Sequence, residues 1–405
     1  MFRSPLCTAL FALLFTASTL ADAGTDWAAA IEAGKKAYAQ RQYDEAQKQF
    51  ELAVKAAETF GEKDTRLAAA LDHLGTVHSV KREFTTAEPL FKRAIQIIEN
   101  AYDEGHPDLI GTLQSLATLY RATNKLDDAQ ALYERTLTIC EAAFGKEDER
   151  VATALHNLAA LHGMRNQYAK SLEYLERALA IREAKLGEGD PSVHTTLTDM
   201  GNTCFRLGRH DDAAKHYKRA LKLIETQQKG KPAHVDAMNR LAQLYDAQRK
   251  WNESLPLYQE GLTILEQNLG VDHAAVGQAC FKLASTHAAM EKYDEAERLF
   301  KRALSIAQRG AGGKEDAEVG KAAFSIGRMY VQQKRYDDAA PYCKQAIEHI
   351  GKTLGPRHPY YALAVLNYAA LLEATGYTAE ADKLKQAIQR LQAKMKEEEK
   401  AKNEF

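Results

Sequence analysis

The sequence predicts an all-α solenoid of nine helix-turn-helix units, and three observations carry that prediction. Landmark residues recur from Tyr43 to Thr378 in steps of 41, 42, 42, 42, 41, 42, 43 and 42. Two columns within that period hold only small residues in every unit. The composition is also that of a helical protein, with 9 Pro in 405 residues and an abundance of Ala, Leu, Glu, Lys, Gln and Arg.

The register comes from Tyr43-Asp44-Glu45-Ala46, Tyr293-Asp294-Glu295-Ala296 and Tyr336-Asp337-Asp338-Ala339. The other units start at Phe84, Leu126, Tyr168, His210, Trp251 and Thr378. Three residues after each start stand Ala46, Ala87, Ala129, Ser171, Ala213, Ser254, Ala296, Ala339 and Ala381. Nine before each start stand Gly34, Gly75, Ala117, Ala159, Gly201, Ala242, Ala284, Gly327 and Ala369. Two antiparallel helices joined by a short turn pack tightly only where the side chains at their crossing are small. Large residues fill the flanks: Leu74, Leu116, Leu158, Leu241, Leu283 and Ile326 on one side, Phe50, Phe91, Tyr133, Tyr217, Tyr258 and Phe300 on the other. A third column, ten after the start, runs from Ala53 to Ala346 in small residues and breaks only at Ile388 in the last unit. Each unit therefore reads as a helix A that ends just before the start position, a two- or three-residue turn, and a helix B.

Punctuation follows the same register. Gly61, Gly145, Gly187, Gly270 and Gly355 lie where helix B gives way to the next helix A and serve as C-terminal caps. His106-Pro107, Asp190-Pro191 and His358-Pro359, with Asp148 and His273 at the equivalent place, mark the N-terminus of helix A. Pro89, Pro256 and Pro341 fall five residues after a start, at the opening of helix B, where a missing N–H is expected to do little harm. Asp127-Asp128, Asp211-Asp212 and Asp337-Asp338 open helix B too, and there complement the helix dipole.

Residues 1–23 read as an address and not as structure. Arg3 precedes an apolar run from Leu6 to Leu20, and Ala21-Asp22-Ala23 supplies the small-x-small pattern of a signal peptidase site. The run is too short to span a bilayer comfortably, so a cleavable secretory signal ending at Ala23 is expected, with a periplasmic or secreted product and no integral membrane span after its removal. Cys7 lies at the start of the apolar run, which argues against lipidation. Cys140, Cys204, Cys280 and Cys343 are 64, 76 and 63 residues apart, form no CxxC, and occupy apolar helix columns, so they read as buried free thiols. The 54 basic and 55 acidic residues leave a net charge of −1, which excludes a globally basic nucleic-acid binder. The division expected is a signal over 1–23, a repeat array over 24–395 and a charged tail over 396–405.

The helix pairs with their Gly/Ala, aromatic and Ala columns resemble tetratricopeptide repeats. The 42-residue spacing resembles the kinesin light chain type and its bacterial relatives, since the ordinary period is 34. Tyr168 to Gly187 (YAKSLEYLERALAIREAKLG) followed by Asp190-Pro191, and Val151 to Leu161 (VATALHNLAAL), are similar to that family's pattern. The resemblance covers residues 26–395. It implies a right-handed superhelix whose A helices line a groove for a partner protein or peptide. It also implies groove positions two before and one after the Gly/Ala column, with Asn and Lys/Arg there binding peptide backbone and acidic groups. Here those positions put Asn157, Asn202 and Asn367 in the amide role. Arg240, Lys282 and Arg328 form a basic patch over units five to eight that suits an acidic or carboxylate-bearing segment. His73, Thr76, Ser115 and Thr118 depart from the pattern in units two and three, and Asp199 would oppose an acidic ligand locally.

Catalytic chemistry finds no converged set. His78, His162 and His287 share a column with Tyr120, Tyr245 and Tyr330 and read as planar residues packed between helices; no pair shows HExxH spacing, so no metal or other cofactor is expected. Gly310-Ala311-Gly312-Gly313-Lys314 lacks the first Gly and the Ser/Thr of a phosphate loop and reads as a flexible inter-repeat loop. The expected function is a non-catalytic interaction scaffold of the cell envelope or extracellular space; the alternative is a self-associating structural protein built from the same solenoid.

Overall fold

The computed structural model describes residues 24–314 and 316–403. The expected signal, its cleavage point at Ala23 and Cys7 lie outside these described residues. Among the described residues every regular element is a helix, α1 to α18, and there is no strand. The A helices are α1 (24–39), α3 (Thr65–Val80), α5 (Leu109–Ala122), α7 (Glu149–Met164), α9 (Pro191–Arg206), α11 (Pro232–Ala247), α13 (Ala274–Ala289), α15 (Ala317–Gln332) and α17 (Pro359–Ala374). The B helices are α2 (Tyr43–Glu58), α4 (Phe84–Ala101), α6 (Leu126–Phe144), α8 (Tyr168–Leu186), α10 (His210–Gln228), α12 (Trp251–Leu269), α14 (Tyr293–Ala311), α16 (Tyr336–Thr353) and α18 (Thr378–Asn403). Every start position predicted from the repeat is the first residue of a B helix. The described residues fall into two compact units, which divide between Arg209 and His210. Within each, a helix packs on its neighbour in sequence, and A helices also touch the next A helix, α3 on α5, α13 on α15 and α15 on α17.

The small columns are where the helices cross. All eighteen of their residues are buried. A Cβ added to Gly75 would stand 2.8 Å from Cε1 of Phe91, and one added to Gly34 only 2.5 Å from Cε1 of Phe50. Glycine is thus the complement of a phenylalanine two columns away.

The A-to-B turn is built on one left-handed residue, two before each start. Arg41, Arg82, Asn124, Asn166, Arg249, Glu291 and Lys334 have φ between 57° and 63°, and Gly208 and Gly376 fill the same place. The amide of the following residue donates back to helix A, as from Glu83 to the His78 carbonyl at 2.8 Å and from Arg335 to that of Tyr330 at 2.9 Å. This is the Schellman closure, usually made with glycine; here seven L-residues accept the strained conformation because the two packed helices over-determine it.

Three of the expected B-to-A caps stand, Gly145, Gly187 and Gly270, with φ of 83°, 82° and 84° and ψ near 160°, a region only glycine enters freely; Gly61 is not one, because α2 already ends at Glu58 with Thr59 as its cap. Asp148 and Asp190 accept from the amides of Arg150 and Ser192 at 2.9 and 2.8 Å, and His273 and His358 do the same through Nδ1. His106 Nδ1 likewise accepts from Asp108, but α5 begins only at Leu109 because the chain first makes a tight turn, Leu109 N–H to His106 O.

Two expectations need correction. Pro89, Pro256 and Pro341 are the sixth residues of their helices, past the turn in which an N–H has no partner, so each removes a backbone bond. The prolines and the residues whose carbonyls lose that bond, Thr85, Asn252 and Asp337, are all exposed, so water takes the place of the missing donor. The glycine-rich segment is also not wholly a loop. Gly310 and Ala311 finish α14, and Gly312 caps it in the left-handed conformation (φ 58°, ψ 33°).

Cys140, Cys204, Cys280 and Cys343 are buried free thiols. Burial pushes Cys343 up to about 11, which keeps it protonated and unreactive. Helix α18 carries the charged C-terminal stretch on as helix to Asn403. None of the described helices is long and apolar enough to cross a membrane.

Candidate functional site on the helix A faces

In the first unit, α3, α5 and α7 line a recess of about 580 Å³. Its polar lining is Thr76 and Ser79 from α3, Gln114, Ser115 and Thr118 from α5 and Asn157 from α7, set among Tyr38, Val80, Phe84, Phe91, Leu119 and Ala122. A neighbouring recess of about 360 Å³ is lined by Trp27, Arg66, His73, Ile98 and Asp108. Asp72 and Gly111 belong to both.

Asp72 is the feature sequence reasoning passed over. Its Oδ1 is shut off from solvent and has no hydrogen-bond partner. Burial pushes the carboxyl up to about 6, against the pull of the Thr112 and Ser115 hydroxyls, which favour the charged form. Nearby cations are engaged elsewhere. Arg66 pairs with Asp64 at 2.7 Å and lies 3.4 Å over the Phe60 ring; Lys35 pairs with Glu32 at 3.1 Å. His73 stacks on Phe50 with centroids 5.1 Å apart, and burial pushes its pKa down.

Asn157 and Asn202 sit half-buried on α7 and α9. Beside them His156 reaches Asp199 through Nε2 at 3.2 Å, and the Asn202 amide lies 3.4 Å from the other Asp199 oxygen. Asp199 is therefore held in an inter-repeat contact. Beneath them lies Arg182, 6% exposed, in a column that elsewhere holds Ile98, Cys140, Ile224, Leu265 and Ile350. Its Nη1 donates to Thr196 Oγ1 at 2.6 Å and approaches His156 Nδ1 at 3.3 Å, while Nε finds no partner. Because guanidinium only donates, His156 must accept at Nδ1 and give its proton to Asp199 from Nε2.

In the second unit Arg240 is exposed on α11 and Lys282 half-buried on α13. Burial lowers the Lys282 pKa; Asp236 opposes that and Arg240 adds to it, so the two cations feel one another. Arg328, exposed on α15, has its guanidinium 5.9 Å from the Phe324 ring centre. Asn367 turns inward and donates to Cys343 Sγ at 3.3 Å, which makes it a packing amide. His78 and His162 are buried as expected, their Nδ1 atoms 2.5 and 2.6 Å from the side chains of Glu83 and Gln167. Among the described residues no group of three or more His, Cys, Asp and Glu is arranged to hold a metal ion.

Repeat-to-repeat clamps hold these faces in place, and the sequence reading missed them too. Arg135, Arg177 and Arg302, each nine after a start, bond Glu99, Glu141 and Glu266 of the preceding B helix at 2.7, 2.6 and 2.6 Å. The signal was there as an Arg column facing a Glu column, offset by 36 residues.

Comparison with known proteins agrees with the architecture. The profile described as tetratricopeptide repeat matches residues 66–142, 112–184, 150–226, 192–267, 234–309 and 318–393. Protein KINESIN LIGHT CHAIN-RELATED 2 of Arabidopsis thaliana is 32% identical over 115 residues, 28% of this chain. The match spans only 17% of that relative's length. Among solved structures, the apo form of the quorum sensor NprR from B. thuringiensis is similar with a TM-score of 0.58 and 13% identity, over 79% of this chain and 86% of that one. A signal transduction ATPase with a tetratricopeptide repeat sensor from Pyrococcus horikoshii gives 0.58 and 14%, over 88% of this chain and 53% of that one.

Proposed function

Because the chain belongs to the tetratricopeptide repeat family, we propose that it is a non-catalytic scaffold, exported to the periplasm or secreted, that binds a segment of a partner protein along its helix A faces. One observation carries this reading. Across α3, α5 and α7 the stack leaves a recess of about 580 Å³ whose lining mixes apolar side chains, among them Val80, Phe84 and Leu119, with the polar Gln114, Ser115 and Asn157. A mostly apolar recess with a few convergent polar groups is the usual make-up of a binding site. Export rests on the Arg3, Leu6–Leu20 and Ala21-Asp22-Ala23 pattern.

Over the second unit the reading adds an acidic or carboxylate-bearing segment as the occupant. Arg240 and Lys282 stand in electrostatic range of one another with Arg328 on the next A helix, and charge-assisted bonds to such a segment are salt-sensitive. Affinity capture from the native compartment, with wild type and with the Arg240→Glu, Lys282→Glu double variant, tests this. Loss of a captured chain in the variant supports the basic patch; an unchanged set of partners refutes it. Fractionation, with the mature N-terminus read by mass spectrometry, tests export.

A second reading, self-association, draws on α17, which leaves Tyr360, Leu363 and Leu366 exposed at 37%, 49% and 37%. Sedimentation across a hundredfold range of concentration decides it, since a monomer throughout removes the reading.

A further inference from the structure

We propose that the Asp72 cleft of the first unit receives a basic side chain, lysine or arginine, from an extended segment of a partner protein. The proposal rests on reading the helix A faces as a partner-binding groove and names what one part of that groove recognises.

The repeat itself supplies an internal control. The residues equivalent to Asp72, twelve before each start, are Ile31, Gln114, His156, Thr198, Asn239, Phe281, Phe324 and Leu366. No other unit places an acid there, so the fold does not require one. Yet in the second repeat the acid is present, largely buried, and one of its oxygens is without a donor. A buried carboxylate that lacks a cation is costly to keep, and groups of this kind cluster at functional sites.

Geometry and chemistry select the occupant. Asp72 stands where the two recesses meet, and Gly111 opens the way to it: a Cβ added there would meet nothing within 4 Å. Three cations around the cleft already have acids of their own, and His73, whose pKa burial lowers, stacks on Phe50. Lys35 on α1 is with Glu32, Arg66 on α3 with Asp64, and His106 before α5 with Asp108 at 3.7 Å. None of them pairs with Asp72 among the described residues. The remaining lining is of two kinds. Thr76, Ser79 and Ser115 offer hydroxyl oxygens that accept from an ammonium or guanidinium head, while Trp27, Phe84 and Ile98 offer apolar wall to an aliphatic stem. A lone carboxyl ringed by hydroxyls lacks the ligand count of a cation site for a metal, whereas one basic side chain satisfies it with a single charge-assisted bond.

Selection of a displayed random dodecapeptide library on the full-length protein tests the idea, with Asp72→Asn and Gly111→Trp run beside wild type and each variant's fold checked by circular dichroism. Wild type is expected to enrich peptides with Lys or Arg at one fixed position. Replacing that residue by norleucine in the synthetic consensus should weaken binding at least tenfold. Asp72→Asn should weaken the parent peptide by as much, and the two losses should not multiply when combined. A consensus with no basic residue, or losses that multiply, overturns the Asp72 proposal. The groove reading then survives if Gly111→Trp abolishes binding, and falls with it if Gly111→Trp leaves binding intact or if wild type enriches no peptide at all.

Discussion

Replacing Asp72 by asparagine should make the first unit more stable at neutral pH, and the gain should fade in acid. Asparagine keeps the shape and still accepts from Thr112 and Ser115, but it cannot ionise. An aspartate in the unfolded chain titrates near 3.8, and in the fold Asp72 is pushed up to about 6 by burial. The folded state therefore holds the proton more tightly than the unfolded one. The group supports folding below the unfolded value, and that support is lost as the pH rises through about 6. A difference of about 2 units at about 1.4 kcal/mol each puts the cost at about 3 kcal/mol at pH 7.5, falling to about 1 kcal/mol at pH 4.5. The charged and titratable groups around the site from α1, α3 and the segment before α5 are Glu32, Lys35, Asp64, Arg66, His73, His106 and Asp108. A repeat array of this length opens in parts, so the assay is amide hydrogen exchange by mass spectrometry on peptides from α3 and α5. Slower exchange in Asp72→Asn at pH 7.5, with a smaller gain at pH 4.5, is the expected result. Equal exchange at pH 7.5, or the same gain at both values, refutes the reasoning.

Other outcomes follow from the packing. Gly75→Ala should destabilise α3–α4 by about 1–2 kcal/mol, since overpacking against Phe91 exceeds the helix-propensity gain. The same change at Gly111, where the Cβ meets open space, should stabilise by about 0.5–1 kcal/mol; like signs at the two sites in urea or exchange measurements would show the crossing geometry is wrong. Lys334→Gly should stabilise the α15–α16 turn by about 0.5–1 kcal/mol by removing left-handed strain from an exposed residue, and any loss of melting temperature contradicts it. Arg182→Met should raise stability near α8–α9 by about 1 kcal/mol, because an apolar side chain of similar length suits that column better than a guanidinium with a partnerless Nε. A fall of more than about 2 kcal/mol in unfolding experiments would mean the bonds to Thr196 and His156 outweigh desolvation.

Much of this molecule was legible before any coordinates. The starts at Tyr43 through Thr378 coincide with the first residues of the B helices, and the Gly75 and Ala159 columns are the buried crossings, because each repeat solves the same local packing problem with its immediate neighbours. Asp148 and Gly145 were readable as caps for the same reason: the bonds they make lie within a few residues of chain. The site was less legible. The columns did not reveal that Lys282 feels Arg240, nor that the Asn367 amide bonds Cys343 Sγ. The turn residues Arg82 and Lys334 gave no hint of a left-handed backbone, since their side chains do not favour it.

The number, register and helical nature of the repeats follow from the chain alone, since they depend on periodic contacts that every repeat makes again. Which polar groups end with a partner, and which do not, is settled only once the helices are packed. Asp72 and Asp199 both look like acids on a helix A face. One receives His156 from the preceding repeat; the other meets only hydroxyls and the low polarity of its cleft. Desolvation depends on whatever lies nearby in space, and for Asp72 those neighbours come from helices on both sides of its own, a relation that no column of residues spells out.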